Sequence, residues 1–165
     1  MVRQSDGKLL VGGGVDYGEF GEDHAWAVIR YNADGTFDDM FGNINVPPTP
    51  GNTSFARVDC NPDAASFNCA SLRALAIQSD GKIVLAGLFI TNAGSDFMLA
   101  RLNADGTLDT SFGTNGLVKT DFFGKDDDAY SVVIQSNGKI VAGGFATAPG
   151  TPSDFALVRY NTDGR

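Results

Sequence analysis

Three short blocks of sequence recur in the same order along the chain, and this repetition constrains the fold more than any other feature. The first block, of the form Gln-Ser-Asp/Asn-Gly-Lys, occupies residues 4–8, 78–82 and 135–139. The second, Arg-Tyr/Leu-Asn-Ala/Thr-Asp-Gly, occupies residues 30–35, 101–106 and 159–164. The third, Phe/Leu-Asp-x-x-Phe-Gly, occupies residues 37–42 and 108–113. Such self-similarity indicates an array of equivalent supersecondary units.

The spacing of the blocks divides the chain into three repeats. The first block returns after 74 residues and then after 57 residues. The excess lies between Gly42 and Gln78, a segment that holds Pro47, Pro48, Pro50 and both cysteines, which we interpret as a surface insertion. The expected repeats are therefore residues 1–71 with an insertion at about 43–71, residues 72–128, and residues 129–165, all within one domain.

Each repeat divides into four short strands separated by turn residues. In the third repeat the predicted strands cover residues 130–134, 140–144 and 155–160, and the second repeat shows the fourth strand at 116–122. The Asn137-Gly138 pair between two of these strands predicts a two-residue type I′ hairpin turn, which needs positive φ at both residues.

The central strands are apolar on both faces. In residues 97–102, Phe-Met-Leu-Ala-Arg-Leu, apolar side chains occupy odd and even positions alike, whereas a sheet with one solvated face would alternate. Four-stranded antiparallel units that repeat at this period and are buried on both faces are typical of propeller blades. The prediction is an all-β fold, a β-propeller of four-stranded antiparallel blades, with about three repeats present.

The first and last repeats are predicted to be incomplete. Three residues precede Gln4, and the sequence ends at Arg165, in the turn before a fourth strand. Because propellers have about four to eight blades, we expect the remaining blades to come from the same polypeptide or from other copies of this chain. A piece of a longer protein is the preferred interpretation.

Charge and composition exclude some partners. The formal net charge is −8, with 12 basic and 20 acidic side chains, so nucleic acid is not an expected partner. No apolar run is long enough to span a bilayer. The first seven residues lack the apolar core of a secretory signal.

The two cysteines, Cys60 and Cys69, lie close together in polar sequence and predict a loop disulfide, which implies an oxidising compartment. Two free thiols are the alternative. A metal site is less favoured because the single histidine, His24, is distant in sequence.

The recurring blocks resemble the bacterial delta-60 repeat, a domain of unknown function that forms β-propellers. The matching segments include residues 78–84, 100–109 and 111–116, and the resemblance extends over nearly the whole chain except residues 51–71. The resemblance implies an exported or cell-surface bacterial protein and implies no catalytic activity. The chain departs from the pattern at its first residues, at the insertion, and at Ala25, where the other repeats have aspartate.

Three arginines, Arg30, Arg101 and Arg159, occupy one position of every repeat. A catalytic arginine would be unique, so we interpret them as structural and expect each to pair with a carboxylate or carbonyl group between blades. The aspartates of the recurring blocks, such as Asp6 and Asp105, are interpreted as turn residues.

No cofactor is predicted, although two acidic loops could contribute oxygen ligands to Ca²⁺. One is Asp126-Asp127-Asp128, and the other contains Asp16, Glu19, Glu22 and Asp23. Neither has the spacing of an EF-hand loop, and the favoured interpretation of both is a solvated loop.

The sequence therefore predicts a non-enzymatic segment of a larger extracytoplasmic bacterial protein, which acts as a scaffold or as a binding or adhesion module with an unidentified protein or glycan partner. One alternative is a propeller hydrolase or lyase with a site in the central channel. Another is a carbohydrate-binding propeller, whose candidate aromatic residues are Tyr17, Phe20, Phe55 and Phe67. Trp26 aligns with Phe97 and Phe155 and is interpreted as a core residue.

Overall fold

A computed structural model describes residues 1–17, 23–42, 55–59, 69–90 and 94–165, with backbone alone for residues 16, 17, 23, 24, 69 and 70. These residues form three antiparallel sheets and no helix, which confirms the predicted all-β class. Within the same ranges, no helix has the length and apolarity that a membrane crossing requires.

The first sheet contains four strands in sequential order: β1 (Val2–Arg3), β2 (Leu9–Tyr17), β3 (Asp23–Tyr31) and β4 (Ala56–Val58). Strand β4 falls inside the segment that the sequence indicated as an insertion. It pairs with β3 through Val28 opposite Ala56 and Trp26 opposite Val58. The segment therefore contributes a strand to the sheet, which the sequence analysis did not assign.

The second sheet also has four strands in sequential order: β5 (Cys69–Ile77), β6 (Ile83–Ile90), β7 (Ser95–Leu102) and β8 (Leu117–Thr120). The third sheet has three: β9 (Asp127–Ile134), β10 (Ile140–Thr147) and β11 (Ser153–Tyr160), with β10 in the centre. In the described part of the chain these sheets stack in sequence and do not close a ring.

Two apolar layers hold the stack together, one on each face of the second sheet. Ile83, Leu85 and Met98 pack against the first sheet, and Val84, Phe97 and Leu99 pack against the third. All six are at most 3% exposed. The prediction that the central strands are buried on both faces is confirmed, and burying a side chain of this size contributes about 1.5–3 kcal/mol.

The predicted type I′ turns are wrong. In the loop after β9, the amide of Gly138 donates to the carbonyl of Gln135 at 2.8 Å, and the amide of Gln135 donates to the carbonyl of Lys139 at 2.8 Å. Gly138 has φ +80°, whereas Asn137 does not have positive φ. This is a three-residue loop with glycine at the bulge position, and the side chain of Asn137 accepts from the amide of Lys139 at 3.1 Å.

The same turn occurs at the five Asp-Gly positions of the recurring blocks. In each, the aspartate side chain accepts from the amide two residues later at 2.9–3.1 Å, and the glycine has φ between +85° and +91°. These aspartates are Asp6, Asp34, Asp80, Asp105 and Asp163. Their interpretation as turn residues agrees with this geometry, although the turn type differs from the predicted one.

Candidate functional site

Ionic side chains converge where one sheet meets the next. After β3, the carboxylate of Asp38 accepts hydrogen bonds from Lys8 Nζ at 2.6 Å and from Arg30 Nε at 2.7 Å. Arg30 Nη1 also donates to the carbonyl of Ala104, which belongs to a turn of the second repeat, at 2.7 Å. The guanidinium lies 4.4 Å from the centre of the Phe41 ring, a cation–π contact.

The second repeat builds the same arrangement with equivalent residues. Lys82 Nζ and Arg101 Nε both donate to Asp109 at 2.7 Å. Arg101 Nη1 donates to the carbonyl of Thr162, in the turn of the third repeat, at 2.5 Å, and the guanidinium lies 4.5 Å from the Phe112 ring. We refer to these two arrangements, Lys8–Arg30–Asp38–Phe41 and Lys82–Arg101–Asp109–Phe112, as the inter-sheet clamps.

A backbone hydrogen bond accompanies each clamp. The amide of Gly42 donates to the carbonyl of Asp105 at 2.8 Å, and the amide of Gly113 donates to the carbonyl of Asp163 at 2.8 Å. The fit is tight, because a Cβ added at Gly106 would lie 2.6 Å from the nitrogen of Gly42. Each clamp therefore fixes the turn of the following repeat by backbone and side-chain contacts together.

The electrostatics of the clamps keep their carboxylates ionised. Burial by itself would raise the pKa of Asp109, but hydrogen bonds from Lys82 and Ser111 and the charge of Arg101 outweigh burial and hold the pKa well below 3.8. The pKa of Asp38 is also lowered, because bonds from Lys8 and Arg30 outweigh its burial. Each clamp thus holds an ionised, buried aspartate between a lysine and an arginine at neutral pH.

Arg159 differs from the other two recurring arginines. Sequence analysis expected a carboxylate or a carbonyl partner for all three. Arg30 and Arg101 have one partner of each kind. Arg159 is exposed, and in the part of the chain that the structure describes its guanidinium has no hydrogen-bond or ion-pair partner.

The roles of Asp38, Asp109, Phe41 and Phe112 were not identified from the sequence. The signal was present, because all four belong to the third recurring block. What was missing is the turn geometry that brings this block back onto the arginine eight residues earlier, where the Asp109 amide donates to the Arg101 carbonyl at 2.9 Å.

A group of carboxylates lies near the first residues of β7 and β9, at the opposite end of β7 from the clamp residue Arg101. One carboxylate oxygen from each of Asp96, Asp121 and Asp127 lies within 4.8 Å of the others. Lys119 Nζ pairs with Asp96 at 2.9 Å, and the two Asp127 oxygens accept from the amides of Phe122 at 2.8 Å and Thr147 at 3.3 Å. Burial, followed by the charges of Asp121 and Asp96, raises the pKa of Asp127 despite those bonds.

The acidic run 126–128 does not act as one unit: its interpretation as a solvated loop agrees with the exposed Asp126 but is wrong for Asp127 and Asp128. Asp127 and Asp128 lie in β9 and are at most 3% exposed. Asp128 pairs with Arg73 at 3.1 Å, and Asp126 accepts from the amide of Ser95 at 3.1 Å. In the group of Asp96, Asp121 and Asp127, one oxygen of Asp96 and both oxygens of Asp127 already have protein partners, whereas Ca²⁺ takes six to eight oxygen ligands. Calcium binding stays an untested prediction.

Most other candidates from the sequence lie outside the described side chains: Asp16, Tyr17, Glu19, Phe20, Glu22, Asp23, His24, Cys60, Phe67 and Cys69. The disulfide, the second acidic loop and most of the carbohydrate-binding aromatics therefore stay predictions. Phe55 is half-buried, and Trp26 is fully buried in the first apolar layer, which confirms its interpretation as a core residue.

Comparison with known proteins agrees with this architecture. A family model described as domain of unknown function (DUF5122) beta-propeller matches residues 4–41, 78–112 and 135–165, which together make up more than half of the chain. Each matched range begins at the glutamine of a Gln-Ser block. A comparison with curated proteins gave no match.

Proposed function

This chain belongs to the DUF5122 β-propeller family, a domain of unknown function, and we propose that it serves there as a non-enzymatic scaffold that displays loops for binding or adhesion. The observation that carries the proposal is the duplication of the inter-sheet clamp. Catalytic groups are unique within a domain, whereas the ionic groups at Arg30 and Arg101 make equivalent contacts in successive repeats. Their role is to hold sheets together.

The proposal that loops are displayed rests on a difference between the two ends of the strands. The clamps and turns lie at one end of the strands. At the other end, the loop between β10 and β11 is exposed at residues 149–154, and a Cβ added at Gly150 would meet nothing within 4 Å. Loops of this kind on a rigid framework commonly carry binding residues.

We extend the proposal to an extracytoplasmic bacterial setting, where the partner would be a protein or a glycan. Support for the setting comes from the sequence resemblance and from the two cysteines, which suit an oxidising compartment. The loops vary among the repeats, whereas the clamps and turns recur.

The enzyme alternative would need unique carboxylates or a metal centre. Among the described residues, the convergent acidic group is Asp96, Asp121 and Asp127. Two of the three already serve the fold, since Asp96 pairs with Lys119 and Asp127 accepts two backbone amides. This assignment favours the scaffold over the enzyme.

The test compares a loop with a clamp in the same chain. A six-residue Gly-Ser insertion after Gly150 is expected to change the melting temperature by less than about 2 °C, because an exposed loop pays only a small loop-closure entropy. Arg101→Met should lower the melting temperature by several times that amount. Equal losses from both changes would contradict the proposal, because the loop would then be part of the structural core.

A further inference from the structure

A cleft of about 560 Å³ opens between the second and third sheets, at the end of the strands that holds the clamps. One wall is the turn at residues 78–82, and the other is the equivalent turn at residues 135–138. Protein sites for small ligands typically have volumes of about 300–1,000 Å³. The cleft is therefore large enough for a small ligand.

Gln78 is a buried polar side chain of this cleft that the fold leaves incompletely paired. It is 8% exposed, and its side-chain oxygen accepts a long hydrogen bond from Arg101 Nη1 at 3.5 Å. Within the described part of the chain, the amide nitrogen of this side chain has no hydrogen-bond partner. Buried polar groups normally have partners. A ligand in the cleft would supply an acceptor for the Gln78 amide.

Lys82 adds positive charge at the same wall. Its ammonium donates to Asp109 at 2.7 Å, and its side chain is 29% exposed. An ammonium has three donors, so two remain after the bond to Asp109. Arg101 binds the same carboxylate oxygen at 2.7 Å, and the two cations of this clamp therefore share one carboxylate. The excess positive charge, in a chain of net charge −8, favours an anionic ligand.

The remaining lining favours hydroxyl groups over further negative charge. Ser79 and Ser136 lie on opposite walls, and their hydroxyls both donate and accept hydrogen bonds. Asp80 also lines the cleft, where its carboxylate accepts from hydroxyl groups and repels a ligand with two negative charges. Ile77 and Ile134 supply apolar surface for the carbon skeleton of a ligand.

We propose that this cleft binds a small ligand with one carboxylate and several hydroxyl groups, the chemistry of a hexuronic acid or of an open-chain sugar acid. The carboxylate binds the Lys82 ammonium and the Gln78 amide, and the hydroxyl groups bind the two serines. The inference goes beyond the proposed display of loops, because the cleft lies at the clamp end of the strands, away from the loop at residues 149–154.

The first clamp supplies a matched control for this site. Lys8 pairs with Asp38 at 2.6 Å as Lys82 pairs with Asp109 at 2.7 Å, and both lysine side chains are 29% exposed. Lys8 does not line the cleft, and beside it Arg3 stands at the repeat position of Ile77. Lys8→Met therefore removes a clamp lysine without changing the proposed site.

Isothermal titration calorimetry of the intact chain at low ionic strength tests the ligand class. D-glucuronate and D-gluconate are the two probes, with D-glucose, acetate and inorganic phosphate as references. At least one probe should bind with a Kd of about 1 mM, and the references should bind about tenfold more weakly or less. Binding of glucuronate alone would identify a ring sugar, and binding of gluconate alone an open-chain acid. Binding of neither probe, or equal binding of acetate or phosphate, would overturn the proposal.

Variants test the position of the site. Lys82→Met should weaken binding by about tenfold or more, and Lys8→Met should leave the Kd within about twofold. Equal weakening by both would overturn the proposal, because the loss would then follow from the clamps. Ser136→Phe, at an exposed position on the opposite wall, keeps the test decisive if Lys82→Met does not fold.

The phenylalanine ring should obstruct the cleft and abolish binding, and unchanged binding in Ser136→Phe would overturn the assignment to this cleft. The scaffold proposal is judged instead by the melting temperature after the Gly150 insertion. Failure of one proposal is therefore distinguishable from failure of the other.

Discussion

Replacing Arg101 with methionine removes a guanidinium that contacts four residues, one of which is Gln78, whose side-chain oxygen accepts at 3.5 Å. Arg101 is 6% exposed and donates to Asp109 and to the carbonyl of Thr162, and its guanidinium packs on Phe112. Methionine keeps an unbranched apolar side chain of similar length, so the substitution limits the cavity and isolates the loss of polar contacts.

The expected loss of stability follows from the contacts that remain. Breaking a buried ion pair by removing one partner costs about 3–5 kcal/mol. Asp109 keeps its bonds from Lys82 at 2.7 Å and from the Ser111 hydroxyl at 2.6 Å, which lowers the penalty. The Thr162 carbonyl loses a charged donor, worth about 1.5–3 kcal/mol. We therefore expect a loss of about 2–4 kcal/mol, or roughly 4–16 °C in melting temperature for a chain of this size.

The chain supplies its own control and its own probe. Arg159→Met changes the same residue type at the same repeat position, where the guanidinium is exposed, and should cost less than about 0.5 kcal/mol. Thermal unfolding is followed by far-ultraviolet circular dichroism for all three sheets. It is also followed by fluorescence of the single tryptophan, Trp26, which lies between the first and second sheets.

Equal melting temperatures for Arg101→Met and Arg159→Met would refute the reasoning, because burial and partners would then make no difference. A second informative outcome is a split between the probes. If Arg101→Met lowers the dichroism transition but not the fluorescence transition, the third sheet unfolds separately, as expected for an array stabilised between neighbours.

Three further predictions follow from the clamps, the turns and the cysteines. In urea unfolding, Gly106→Ala should destabilise the chain more than Gly35→Ala, although both glycines have positive φ. A Cβ at Gly106 would lie 2.6 Å from the Gly42 nitrogen, whereas a Cβ at Gly35 would meet nothing within 4 Å. Equal losses of stability would contradict the inter-sheet contact. Because the pKa of Asp109 in the folded chain lies below its unfolded value of 3.8, the contribution of this carboxylate to stability is fully present above pH 3.8 and is lost as the pH falls through the folded pKa. Asp109→Asn should therefore flatten the acid dependence of the urea midpoint. An unchanged slope would contradict the clamp role of Asp109. Cys60 and Cys69 should form a disulfide in the non-reduced protein, detected as a linked peptide by mass spectrometry, and free thiols after oxidative purification would contradict this.

The sequence predicts the architecture of this protein well because its apolar pattern and its repeat report directly on burial. Phe97–Leu102 is apolar at nearly every position, and the structure buries both faces of that strand. The period gives the number of sheets, since one repeat corresponds to one sheet. Both the apolar pattern and the repeat period are visible in a single sequence.

The clamps could not be predicted, because they depend on contacts between repeats. Nothing in the sequence indicates that Arg101 reaches Thr162, 61 positions later, or that Asp109 folds back under its own arginine. The turn type was wrong for a related reason. Asp-Gly is compatible with both turn classes, and the hydrogen bond from the following amide to the aspartate selects the three-residue loop.

The segment around residues 43–71 shows how a break in periodicity can conceal a regular element. The longer spacing of the first repeat predicted an insertion, whereas Ala56–Val58 completes the first sheet as β4. Three residues are too few for an alternating pattern to be recognised. Similarly, β5 begins at Cys69, three residues before the predicted start of the second repeat.

Amide hydrogen exchange at Gly42 and Gly113 tests the inter-sheet clamps most directly. Each amide donates to a carbonyl of the next repeat at 2.8 Å, so both should exchange much more slowly than the amide of Gly150 in its exposed loop. Arg101→Met should accelerate exchange at Gly113 and leave Gly42 unchanged, because only the second clamp is broken. Rapid exchange at both glycines in the unmodified chain would contradict the account.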